Sequence, residues 1–221
     1  MPSSRLTADQ DLASKLSEEL KFEKAENFDT AFIKNFTENN SFKIEDKPDS
    51  NTVTLTRTFG NERIRVTFDI TNPDFEGDPD DYAEKPENDE EEPQQSSDEA
   101  AIRFIKLPYR CSVTIEKDNK GVLAFDLVLE EGTAILEHVA YFADASLIDG
   151  TSSESEWKRR SLYSGPTYET LDDDIQRLFE EYLKERGINE SLAIFVPTYA
   201  EYKEQQEYVK WMENVHKFIT G

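Results

Sequence analysis

Cys111, His138 and His216 are the side chains best suited to nucleophilic, acid–base or metal chemistry in this 221-residue chain, and none has the company that chemistry needs. Cys111 alternates with Val113 and Ile115 on an inward-looking stretch, whereas a catalytic thiolate needs an adjacent base and access to solvent. It reads as an inert core thiol. No second ligand stands at metal-binding spacing from either histidine, so both read as packing or surface residues. A single cysteine closes no intramolecular disulfide and supplies no multi-thiolate site, which points to a reducing compartment. Phosphate-binding glycine loops, a nucleophile elbow and a zinc-protease motif are all absent. Asp78-Pro79-Asp80-Asp81-Tyr82-Ala83 lacks the sixth-position glycine of a helix-flanked calcium loop, leaving only loose divalent binding. Pairing carboxylates for acid–base work carries no information when 48 are available. The Asn-x-Ser/Thr triplets at Asn35, Asn39 and Asn189 would matter only in a secreted protein. No catalytic residue, cofactor or metal site is expected.

What remains is charge. The chain carries 48 acidic residues against 25 lysines and arginines, a net charge of −23. A pI near 4.4 argues against direct nucleic-acid binding, because phosphate neutralisation by basic groups supplies most of that affinity. From Pro73 to Ala100 there are 13 acidic residues, one lysine and four prolines, a net charge of −12, leaving −11 for the other 193 residues. Self-repulsion, proline and the lack of an apolar face predict a disordered loop inserted between strands. Its carboxylates Asp78, Asp80, Asp81, Glu84, Glu87, Asp89, Glu90, Glu91 and Glu92 are the candidate contacts for a cationic partner.

The elements around that loop follow from hydrophobic period. Thr52–Phe59 and Arg63–Ile70 alternate polar and apolar residues, and Gly60-Asn61 between them suits a primed hairpin turn. Further strands are expected at 41–46, 101–107, 110–117, 122–130 and 133–142, each bounded by turn residues, giving seven strands and a meandering antiparallel sheet. An N-terminal helix is read from the capping pattern at Thr7 and the stripe Leu12, Leu16, Leu20. A second helix is expected after a Thr170 cap, with Leu171, Ile175, Leu178, Phe179 and Tyr182 inward and a glycine stop at Gly187. A third starts near Asn189, bends at Pro197 and runs to the C-terminus. Strands 122–130 and 133–142 are apolar on both faces, which predicts that the far face meets another surface and that the chain self-associates. Length suits one domain spanning residues 1–221. No run approaches the roughly 20 apolar residues of a membrane span, and Met1 to Leu6 shows no targeting pattern.

Three segments, Tyr163–Asp172 (YSGPTYETLD), Leu178–Glu190 (LFEEYLKERGINE) and Lys203–Trp211 (KEQQEYVKW), resemble the mitochondrial acidic matrix protein family, also called the mitochondrial glycoprotein family, which includes the animal receptor for the globular heads of a complement component. The order of helix, hairpin and acidic insertion is similar over essentially the whole chain. The resemblance implies an α+β fold: a seven-stranded antiparallel sheet with one N-terminal and two C-terminal helices, assembled as a homotrimeric ring with an acidic face. It also implies a matrix protein whose presequence has been removed. The function implied is a non-enzymatic scaffold or chaperone for basic proteins, such as mitochondrial ribosomal or RNA-binding proteins, in mitochondrial translation, ribosome assembly and oxidative phosphorylation. The alternative is a regulatory protein binding a divalent cation or small ligand on the sheet.

Overall fold

A computed structural model of the chain describes residues 3–25, 28–71, 108–149, 157–159 and 161–221. Among the described residues six strands run in sequence order as one antiparallel meander: β1 (Lys43–Asp46), β2 (Thr52–Phe59), β3 (Glu62–Asp69), β4 (Tyr109–Lys117), β5 (Gly121–Glu130) and β6 (Thr133–Phe142). The seventh strand expected at 101–107 lies outside the described residues. β3 and β4 pair directly, Phe68 opposite Cys111.

The turns show why the strands break where they do. Gly60 and Asn61 link Phe59 to its partner Glu62, with positive φ at Gly60 alone, the pattern of a turn that places glycine first. Glu131 and Gly132 both take positive φ between the paired Glu130 and Thr133. Alternation then sends one set of side chains to a helix-covered face. Val53, Leu55, Ile64, Val66, Val113, Phe125, Leu127 and Leu129 are almost fully buried there, and removing each from water is worth about 1.5–3 kcal/mol.

The helices are α1 (Ser3–Glu23), α2 (Ala31–Asn40), α3 (Ser146–Asp149), α4 (Asp173–Glu185) and α5 (Glu190–Thr220). Two of the expected helix starts are displaced. Thr7 lies inside α1 rather than at its cap. Thr170 belongs to a 3-10 turn, and Asp172 caps α4 by accepting a hydrogen bond from the Asp174 amide at 3.0 Å. Gly187 does stop α4: its amide and that of Ile188 donate to the Lys184 and Leu183 carbonyls, with φ at +87°. A side chain there would collide with the Arg57 guanidinium, since an added Cβ would lie 2.3 Å from Nη1. Asn189 caps α5 as expected, accepting from the Leu192 amide, and the helix continues through Pro197 to Thr220.

α2 was not foreseen. It is ten residues long without a side-chain cap, and it is held by packing: Phe36 stacks on Phe195 of α5 at 3.8 Å and on Phe42 at 5.8 Å. The first half of α5 lies over the sheet through Leu192, Phe195, Val196 and Tyr199. Its second half runs antiparallel to α1, tied by Ser17 to His216 at 2.9 Å and by Lys24 to Glu213 at 2.6 Å. The inward stripe expected on α4 is corrected in part. Phe179, Tyr182 and Leu183 pack on the core, but Ile175 and Leu178 are 45% and 54% exposed. On the far face of the sheet Val122, Ala140 and Phe142 are buried, with Ala145 and Ile148 folded back beside Val122. Part of the second apolar face is therefore covered by the chain itself.

Candidate partner-binding surface

The expected contact residues Asp78, Asp80, Asp81, Glu84, Glu87, Asp89, Glu90, Glu91 and Glu92, with the whole span 73–100, lie outside the described residues. The structure fixes the two roots of that span. β3 and β4 are neighbours, so the chain departs and returns at the same end of the sheet. The Tyr109 hydroxyl donates to the Asp69 carbonyl, Thr71 donates through its amide and hydroxyl to the Asp69 carboxylate at 3.2 and 3.0 Å, and the Ile70 amide donates to Asn51 at 2.8 Å. Burial, with the Asp69 charge second, pushes the Tyr109 phenol far above its ordinary value, so it stays a neutral donor.

The folded body adds acid at that same end. Tyr109 pairs with Leu129 and Leu129 with Ala134, which places the Glu131-Gly132 turn within two strand spacings, about 10 Å, of the loop root. A groove of about 690 Å³ opens there, with Glu131, Glu169, Glu180 and Glu190 on its walls against Lys184 as the one cation. None of these four carboxylates has an ion pair among the described residues.

The other end of the sheet is built differently. Glu62 is buried and receives Arg186 Nε at 2.6 Å and Nη2 at 3.0 Å, Lys117 Nζ at 2.8 Å and the Tyr182 hydroxyl at 3.3 Å. Arg186 lies over the Tyr182 ring at 3.3 Å and the Phe59 ring at 5.1 Å. Burial alone would raise the Glu62 carboxyl; the hydrogen bonds and charges of Arg186 and Lys117 outweigh it and hold the group below its ordinary range. Nothing in the sequence announces this cluster, because Glu62 opens a strand and Arg186 ends a helix 124 residues later.

The chemistry-bearing residues fall where alternation puts them. Cys111 is 5% exposed, and burial, then the Asp126 charge, pushes its thiol up to about 12. His138 is half-buried on the far face with Nδ1 3.5 Å from Asp126, and His216 joins α5 to α1. Among the described residues no group of three metal-ligating side chains converges, and no helix is long and apolar enough to cross a membrane.

A meandering antiparallel sheet backed by helices on one face defines an α+β class that recurs in solved structures. A Leishmania major protein of unknown function, described as a homologue of human p32, superposes with a TM-score of 0.70 at 26% identity over 96% of this chain and 99% of that one. The sequence model of the mitochondrial glycoprotein family, MAM33, matches residues 16–219, and the chain belongs to that family. The Schizosaccharomyces pombe mitochondrial acidic protein mam33 is 32% identical over 183 residues, 81% of this chain and 68% of its own length. The mitochondrial complement component 1 Q subcomponent-binding protein of Chlorocebus aethiops is 27% identical over 176 residues, which span only 57% of that relative.

Proposed function

We propose that the protein is a non-enzymatic acidic scaffold or chaperone of the mitochondrial matrix that binds basic proteins, ribosomal and RNA-binding proteins among them, in support of mitochondrial translation, ribosome assembly and oxidative phosphorylation. The observation that carries this reading is the placement of charge. A span of net charge −12 is rooted at the end of the sheet where Glu131, Glu169, Glu180 and Glu190 stand without ion pairs among the described residues. Such a surface accelerates encounter with cations and holds them by many weak contacts. The nine loop carboxylates from Asp78 to Glu92 are its proposed contacts. The mitochondrial names of the relatives support the compartment, and the name of the Chlorocebus aethiops relative supports protein binding.

Assembly as a homotrimeric ring belongs to the same proposal. Exposed Leu178, Trp211 and Phe218 on the helices offer apolar surface for it, and a trimer would triple the acidic display. Recovery of proteins bound from mitochondrial extract at low and high salt tests the reading. Basic proteins should dominate at low salt and be lost at high salt. A set without basic proteins would overturn it.

A further inference from the structure

The last strand of the meander leaves part of its backbone unpaired beside the acidic groove. β6 is ten residues long, contains no proline, lysine or arginine, and pairs with β5 alone among the described residues. Such an edge presents a row of N–H and C=O groups that another chain can extend, and the residues that usually guard it are missing. Successive residues of a strand point to opposite faces, so a cavity lying over one face touches every second residue. The groove of about 690 Å³ touches Thr133, Ala134, Ile135 and Leu136 in succession, and therefore runs along the edge of β6. Apart from the ladder to β5, the backbone of these four residues makes no hydrogen bond among the described residues.

The open stretch is bounded. At Gly165 the chain comes so close to β6 that an added Cβ would lie 2.5 Å from the Val139 carbonyl oxygen. Four residues of strand cover about 13 Å. Across the groove stands α4, through Gln176, Glu180 and Lys184 at helical spacing, and buried Leu183 and Ile188 line the groove between them. Ile135 is 44% exposed, a large apolar side chain left for a cross-strand neighbour.

Charge selects the occupant. Glu131, Glu169, Glu180 and Glu190 share the groove with Lys184 as its one cation. A second copy paired edge to edge would bring its own carboxylates against these, and the span 73–100 carries −12, so both are repelled. An extended segment with lysine or arginine at alternate positions is attracted instead, because alternation puts its cations on one side and leaves the other for Ile135.

We propose that the edge of β6 from Thr133 to Leu136 takes up an extended basic segment of a partner protein as an added strand, its backbone hydrogen-bonded to β6 and its alternate cations meeting the groove carboxylates. The inference rests on the reading of the protein as a binder of basic proteins and supplies the mode of recognition. Main-chain hydrogen bonds then hold segments of many sequences, provided that their charge fits.

The probe is a short peptide of alternating lysine and valine, titrated into the full chain at about 0.1 M salt. Two N-methylated versions, one blocked at the lysine amides and the other at the valine amides, keep the charge, but each loses the donors of one strand edge. The unmethylated peptide should saturate, and one methylated version should bind about tenfold or more weakly than the other. Hydrogen exchange at the outward amides of Thr133 to Leu136 should slow when the unmethylated peptide is bound. Equal binding of the two methylated versions, or unchanged exchange at those amides, would overturn strand addition alone, provided that a basic ribosomal protein still binds. Slow exchange there before any peptide is added would assign the edge to another part of the chain or to a second copy, and would equally overturn it. Failure of both the peptides and the basic protein to bind would overturn the wider reading as well.

Discussion

The Glu62 cluster and the groove beside the Glu131-Gly132 turn treat charge in opposite ways. At the Gly60-Asn61 end, Glu62, Glu116 and Asp118 each meet a cation at fixed geometry, and Glu62 is buried with its partners. At the loop end, Glu131, Glu169, Glu180 and Glu190 line an open groove without ion pairs among the described residues, beside the roots of a span with 13 further acids. Charge at the first end specifies how α4 docks on the sheet. Charge in the groove meets no cation in an ion pair among the described residues.

The largest expected effect comes from breaking the buried pair. Arg186→Ala leaves Glu62 buried without its main partner and is expected to cost about 3–5 kcal/mol in urea unfolding. Replacing both residues, as Glu62→Leu with Arg186→Met, should recover much of that loss, because the isolated charge and not the missing bridge is the costly element. If the single variant melts like the parent, the contrast between the two ends fails at its first term.

The same cluster sets an acid limb. The Glu62 pKa is depressed below its ordinary 4.5, so its stabilisation is fully present above that value and is lost as pH falls through the folded-state pKa. Stability measured from pH 6 downward (about neutral to acid conditions) should fall less steeply in Glu62→Gln than in the parent, the variant being less stable at the upper end. Parallel curves would assign the acid limb to other carboxylates.

How much of this was legible in the sequence depends on distance along the chain. The Thr52–Ile70 hairpin was readable because its alternation and its glycine turn are local, and register in such a hairpin is set by the turn itself. Asn189 and Gly187 were readable for the same reason, as caps acting on the next few amides. α2 was not, since ten residues with Phe32, Ile33 and Phe36 as their apolar positions look like loop until Phe195 arrives to stack on them. The Thr170 cap was misplaced because Asp172, two residues on, competes for the same role. The proposed partner-binding residues rest on composition alone, whereas the groove carboxylates come together only once separate strands and helices are aligned.

A smaller effect sharpens the other half of the contrast. Glu131→Gln with Glu190→Gln removes two carboxylates that stabilise nothing by pairing, so stability should stay within about 0.5 kcal/mol of the parent. Binding of a basic protein should weaken measurably in the same variant. A marked loss of stability would mean that these groups serve the fold as Glu62 does.

The most direct measurement is the affinity of a basic mitochondrial ribosomal protein for the full chain and for a chain lacking residues 74–92, each at low and high ionic strength. Exposed charges are screened within about 10 Å at 0.1 M salt, so the full chain is expected to bind tightly at low salt and to lose about tenfold or more as salt rises. The deletion should bind weakly at both. An affinity unchanged by salt and by the deletion would contradict the account.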